Sequence, residues 1–294
     1  MNRFFAAFLL ALCVSHMAQA TTNIDQEEFA STKQMVSLPN DINLAYREFG
    51  NPNGKALVLV HGFTDNARSW SLVIPYIDHN YRIVALDVRG HGKSSAPECC
   101  YAFPDLAYDV KLLMDHLNID SATLIGHSLG SMISQTVAAT YPERVNGVVL
   151  ISSAATNDAF QDGSWLATEL PKLTYPLTPN SKFMNEWYTN ELPVDPEFIS
   201  YEKNESAGVP KQVWYGVMSS GRISDISKNL SKIKAPTLII HGSKDIFFAG
   251  DSQAKLRELL PQSKYVEFTG AGHNVMWEKP QEVAAVIGDF LKTK

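Results

Sequence analysis

The chain has 294 residues, 45% of them hydrophobic and 19% charged, with a formal net charge of −6. That length suits one large α/β domain, and the mild acidic balance, with no basic patch interleaved with aromatics, argues against nucleic acid as a partner. Of three cysteines, two are adjacent (Cys99 and Cys100), so no metal site of Cys-x-x-Cys spacing can be built.

The first twenty residues read as an export signal rather than as part of the fold. Asn2 and Arg3 make a short cationic start, residues 4–14 an apolar core, and Ala18-Gln19-Ala20 a small-x-small cleavage site. The apolar run is too short to span a bilayer. A lipid anchor on Cys13 is disfavoured by the bulky Leu12 before it. The expected mature chain begins at Thr21, is exported to the periplasm or beyond, and carries no second long apolar segment that would insert stably into a membrane.

The rest alternates strand and helix. Residues 34–38 and 42–49 form an expected hairpin with Pro39-Asn40-Asp41 as its turn. Ala56–Val60 and Arg82–Leu86 are short continuous apolar runs, the mark of strands buried on both faces. Residues 71–77 read as a short helix. So do residues 105–117, with Leu106, Val110, Leu113 and Leu117 at helical spacing and Pro104 near the start. A strand at 121–125, a helix at 129–141 and a strand at Val145–Ile151 follow. Strands at 237–240 and Lys264–Phe268 flank a helix at 252–260, and residues 281–291 close the chain as an amphipathic helix. This alternation predicts an α/β fold with a mostly parallel sheet and helices on both faces. Residues 155–230 interrupt the rhythm. They hold six of the 15 prolines and three of the five tryptophans, and read as an insertion of short helices and loops between the two parts of the core, 21–154 and 231–294.

The chemistry gathers at strand ends. Gly126-His127-Ser128-Leu129-Gly130 places a serine between two glycines at a strand-to-helix junction, the nucleophile elbow. The tight turn lifts the Ser128 hydroxyl clear of the backbone, and the N–H of Leu129, opening the helix, points at a developing oxyanion. His273, in Gly270-Ala271-Gly272-His273-Asn274, follows the last strand as the candidate base. Asp245, in His241-Gly242-Ser243-Lys244-Asp245, follows the strand before it as the candidate acid. The order Ser, Asp, His, each just past the carboxyl end of a strand, is far more specific than any one motif. Asp158, after the strand at Val145–Ile151, is the reserve acid. His61-Gly62-Phe63 ends another strand, and the N–H of Phe63 is the second candidate oxyanion donor. His61, His91, His127 and His241 read as structural. Asp87-Val88-Arg89-Gly90-His91-Gly92-Lys93-Ser94 reads as a turn set by Gly90 and Gly92, with Asp87 and Arg89 paired inside it. Trp165, Trp187, Tyr188, Trp214 and Tyr215 form the core of the insertion, one or two of them lining the pocket.

Over residues 34–293 the chain resembles the α/β-hydrolase fold superfamily. The residues that carry the likeness are His61-Gly62, Asp87 to Ser94, Ser128, Asp245 and Gly272-His273. The resemblance implies an eight-stranded sheet, a mainly helical cap at 155–230, no cofactor, no metal, and a triad of Ser128, His273 and Asp245. It is nearest the branch of epoxide hydrolases, dehalogenases, haloperoxidases, esterases and C–C bond hydrolases. Epoxide hydrolases and dehalogenases have aspartate where this chain has Ser128, and often proline where it has Thr64. The expected function is therefore an exported serine hydrolase of the carboxylesterase type, cleaving esters of small, fairly apolar acids. Lactone, thioester or C–C bond hydrolysis and perhydrolysis use the same triad, and a non-catalytic ligand receptor is the reading from another class. The resemblance also puts Cys99-Cys100 at the pocket mouth. Adjacent cysteines close only a strained ring, so such pairs stay reduced or bond elsewhere, but export makes a vicinal disulfide at the substrate entry a candidate.

Overall fold

Apolar runs that need burial on both faces sit at the centre of the sheet. The computed structural model describes residues 24–156 and 158–293, so the expected leader lies outside the described residues. Eight strands form one sheet: β1 (Gln34–Ser37), β2 (Asn43–Gly50), β3 (Ala56–Val60), β4 (Arg82–Leu86), β5 (Ala122–His127), β6 (Val145–Ile151), β7 (Thr237–Gly242) and β8 (Lys264–Phe268), in the order β1-β2-β4-β3-β5-β6-β7-β8. β1 and β2 pair antiparallel with each other and β2 with β4; every other pairing is parallel. β5 and β7 are buried along their whole length, whereas the edge strand β8 is half-exposed. Parallel strands need helical crossovers, and these cover both faces.

The helices are α1 (Gln26–Phe29), α2 (Phe103–His116), α3 (Leu129–Thr140), α4 (Trp165–Glu169), α5 (Lys182–Trp187), α6 (Pro196–Ala207), α7 (Lys211–Ile223), α8 (Gly250–Leu259), α9 (Val275–Glu278) and α10 (Pro280–Leu291). α3 packs on β5, β6 and α2. Its Met132, Ile133 and Val137 are fully buried, each contributing roughly 1.5–3 kcal/mol of apolar burial. The insertion between β6 and β7 runs through α4 to α7. Three of these helices start where the sequence supplies caps: Ser164, Ser181 and Asp195 each accept a hydrogen bond from a first-turn N–H. Trp214 of α7 is fully buried, which anchors that helix.

Two expectations need correction. Residues 71–77 are not an α-helix. Two 3₁₀ turns, Ala67–Trp70 and Ile74–Tyr76, take their place. The buried residues come in i, i+3 pairs (Trp70 with Val73, Ile74 with Ile77), joined by bonds such as Val73 N–H to the Trp70 carbonyl at 3.0 Å. Nor do Asp87 and Arg89 pair with each other. Arg89 makes a two-pronged contact with Asp109 of α2 (2.8 and 2.7 Å), and Asp87 pairs with Lys33 (2.9 Å). Each carboxylate is buried, so each cation answers a different one. The turn itself forms as expected, with Gly90 and Gly92 at φ +85° and +54°.

Candidate active site

Parallel pairing brings the carboxyl ends of β3, β5, β7 and β8 to one edge of the sheet, and the four expected site segments follow them there. Ser128 sits at φ +50°, ψ −118°, between the end of β5 and the start of α3. For a residue with a Cβ that conformation costs about 1–3 kcal/mol. It is held by the Ser128 N–H to the Ile151 carbonyl (3.0 Å) and by the Ser131 N–H and hydroxyl, both donating to the Ser128 carbonyl (2.9 and 2.5 Å). The flanking glycines are compulsory. A Cβ on Gly126 would lie 2.3 Å from the Gly130 carbonyl oxygen, and one on Gly130 would lie 2.1 Å from the Val60 carbonyl oxygen.

His273 is fixed at both ends. Its carbonyl accepts from the Ser152 hydroxyl (2.5 Å) and from His127 Nε2 (3.1 Å), and its Nδ1 meets Asp245 Oδ2 at 2.9 Å. Nδ1 therefore carries the proton that Asp245 accepts, and Nε2 is left as the proton acceptor. Phe247 and Phe248 pack their rings on the imidazole, with centroids at 4.8 and 5.5 Å. Their N–H groups both donate to Asp245 Oδ1 (2.9 and 3.1 Å). Burial pushes the Asp245 carboxyl up, but the charge and hydrogen bond of His273 and the two amides outweigh it and hold the carboxyl down at about 2. Asp158 instead accepts from the Thr156 hydroxyl at an exposed position of the cavity wall.

The two candidate oxyanion donors lie at strand ends. Phe63 follows β3 and Leu129 opens α3; neither N–H donates a hydrogen bond among the described residues. His61, His91, His127 and His241 are buried and structural in their contacts. His61 Nε2 accepts from the Val88 N–H (2.8 Å) and His91 Nδ1 meets the Arg89 carbonyl (2.9 Å). Burial holds His91 down at about 4 and His127 at about 3, so both are neutral.

A cavity of about 520 Å³ opens over Ser128 and His273. Aromatic rings supply much of its wall: Phe63, Phe160, Trp165, Trp187, Phe247, Phe248 and Trp277, with Tyr188 also reaching it. Trp165, Trp187 and Tyr188 come from the insertion, whereas Trp214 packs behind them. Asp65, in the same wall, is a site residue that the reading of the sequence missed. It lies only two positions past Phe63, yet no motif marks it. The Tyr188 hydroxyl donates to its Oδ1 (3.0 Å), its Oδ2 lies 3.9 Å from His127 Nδ1, and burial lifts its carboxyl to about 7. Cys99 and Cys100 are joined as a vicinal disulfide in the exposed loop between β4 and α2, but neither borders the cavity, so the expected place at the pocket mouth is not where they lie. Among the described residues no helix is long and apolar enough to cross a membrane.

A family model described as the alpha/beta hydrolase fold matches residues 55–280. The chain is 29% identical to 3-oxoadipate enol-lactonase 2 of Acinetobacter baylyi over 86% of its own length and 94% of the relative's. Among solved structures it is similar to a bromoperoxidase from Bacillus anthracis (25% identity, TM-score 0.75, 88% of this chain and 99% of that one). A membrane phospholipase A matches with 25% identity and a TM-score of 0.76, over 89% of this chain and 86% of the other. With an eight-stranded sheet of this order, and a family match spanning most of its length, the chain belongs to the alpha/beta hydrolase fold family.

Proposed function

We propose that the protein is an exported serine hydrolase acting on neutral carboxylic esters of small, apolar acids. The observation that carries this reading is that His273, paired with Asp245, and Ser128 border one cavity, with the Phe63 and Leu129 amides, unpaired among the described residues, in its wall. Ser128 Oγ attacks the ester carbonyl and passes its proton to His273 Nε2. The Phe63 and Leu129 amides hold the carbonyl oxygen as it becomes negative. His273 returns the proton to the leaving alcohol, and water then frees the acid from Ser128 by the same route in reverse. Asp245 keeps Nδ1 protonated and steadies the imidazolium.

The cavity wall argues for a neutral substrate. Its described lining contains no lysine or arginine but does include the exposed Asp158 and Glu186, so a substrate carboxylate finds no cationic side chain and two repelling carboxylates there. The aromatic surface suits an alkyl or aryl group, and the volume falls in the range that holds a small organic ligand. The likeness to a lactonase and to a phospholipase A fits chemistry at a carboxylic ester. Residues 155–230 act in this reading as the cap that closes the pocket. The test is initial rates on neutral nitrophenyl esters of increasing chain length beside an ester carrying a free carboxylate. Turnover of the neutral series, lost in Ser128→Ala, is expected. Preference for the charged ester, or turnover that survives Ser128→Ala, contradicts the proposal.

A further inference from the structure

The turn that carries the Phe63 amide is strained, and the insertion holds it. The Asp65 N–H closes the turn onto the Gly62 carbonyl (3.3 Å), with Thr64 in its third position at φ +69°. A positive φ there is a glycine conformation, and a β-branched residue adopts it only where its surroundings enforce it. The insertion supplies hydrogen bonds to three consecutive residues of this turn and its continuation. Trp187 Nε1–H donates to Thr64 Oγ1 (2.9 Å) and the Tyr188 hydroxyl to Asp65 Oδ1 (3.0 Å). Two residues further on, Asn66 Nδ2 and the Arg68 guanidinium both donate to Glu205 of α6 (2.6 to 2.8 Å). Thr64 itself is buried and does not border the cavity, whereas Trp187 does. If Thr64 relaxed to a negative φ, the peptides on either side of it would rotate and the Phe63 N–H would lose its aim.

Resting on the serine hydrolase reading above, we infer that Trp187 is a positioning residue for the oxyanion site: its indole hydrogen bond to Thr64 keeps the turn in the conformation that aims the Phe63 amide. The insertion thus does more than roof the pocket. It holds one half of the oxyanion site, and the same indole ring that pins Thr64 stacks on Trp165 in the cavity wall (centroids 6.0 Å apart, planes 9° apart). Part of the catalytic geometry is therefore set by the segment that also shapes the pocket.

The experiment breaks the bond from each side and measures kcat and KM on a neutral nitrophenyl ester, with kcat expressed per Ser128 labelled by a fluorophosphonate. Thr64→Val removes the acceptor while keeping shape and leaving the cavity wall untouched; Trp187→Phe removes the donor and keeps an aromatic ring. Deleting an oxyanion donor outright costs on the order of 10²–10³ in turnover, so misaiming one should lower kcat roughly tenfold. Thr64→Val should do this with KM unchanged within about twofold. Thr64→Ser, which keeps the hydroxyl, should restore kcat. The double variant Thr64→Val/Trp187→Phe should lose no more than the worse single variant, because both remove the same bond. A Thr64→Val enzyme with wild-type kcat, losses that multiply in the double variant, or a Thr64→Ser enzyme as slow as Thr64→Val each overturns the inference. If the wild type labels at Ser128 and turns over esters while Thr64→Val is indifferent, only the positioning role falls. If the wild type neither labels nor turns over, the hydrolase reading falls and this role with it.

Discussion

Asp65→Asn should stabilise the protein, and the gain should appear only as the pH rises. Asp65 is 4% exposed in the cavity wall. Burial lifts its carboxyl from the ordinary 3.8 to about 7; the Tyr188 hydrogen bond and the charge of His273 pull downward without prevailing. The unfolded chain gives up this proton near pH 4 and the native chain only near pH 7. Below pH 4 both states hold it and Asp65 contributes nothing. Between pH 4 and 7 the unfolded state is favoured progressively, because the native state alone keeps the proton, and above pH 7 the difference levels off. A gap of about three pKa units at 1.36 kcal/mol each sets a ceiling of roughly 4 kcal/mol. Asparagine copies the neutral acid in shape and can still accept from Tyr188. The assay is urea unfolding of wild type and variant at pH 4 and pH 8. The difference between the two proteins at each pH isolates Asp65 from every group that titrates in both. A variant nearly equal to wild type at pH 4 and more stable by a few kcal/mol at pH 8 is expected. A difference that does not change with pH, or a variant less stable at pH 8, refutes the reasoning.

Other perturbations test separate parts of the site. Gly130→Ala would force a Cβ to within 2.1 Å of the Val60 carbonyl oxygen and 2.4 Å of that of His61. Backbone must move, at about 1–3 kcal/mol or more, so a fall in melting temperature of several degrees is expected together with lost turnover, since the His61 carbonyl leads into the oxyanion turn; an alanine variant as stable and active as wild type would contradict this packing. His273→Ala should lose activity by several orders of magnitude and Asp245→Asn somewhat less, while Asp158→Asn should leave ester turnover within about twofold; an inactive Asp158→Asn beside an active Asp245→Asn would reassign the acid. Cys99→Ser/Cys100→Ser should leave the melting temperature within a few degrees, because a disulfide between neighbours closes almost no chain entropy, and should leave ester turnover within about twofold, since neither cysteine borders the cavity; a larger change in either would contradict this, and intact mass with and without reductant checks that the bond is present.

Much of this site could be read from the chain because its parts are local. A strand end, a glycine and a nucleophile within five residues fix the elbow at Ser128, and the strands that precede Phe63, Asp245 and His273 place all of them at one edge of the sheet. The same logic failed where partners are distant. Asp87 and Arg89 are neighbours in sequence, yet Lys33 and Asp109 claim them, because ion pairing in a buried turn depends on which elements pack over it. Residues 71–77 carry apolar spacing that fits either an α-helix or two 3₁₀ turns, and only the packing of Trp70 and Ile74 decides. Asp65 and the cap hydrogen bonds of Trp187 and Tyr188 span more than 120 positions, so no spacing within the chain could announce them.

The most direct test of the account is the residue that takes the acyl group. A fluorophosphonate should add one equivalent to the protein, and peptide mass mapping should place it on Ser128. Ser128→Ala should abolish both the adduct and ester turnover, with little change in melting temperature, since a half-exposed hydroxyl at the cavity floor holds no core together. An adduct on another residue, or turnover retained in Ser128→Ala, would contradict the central claim.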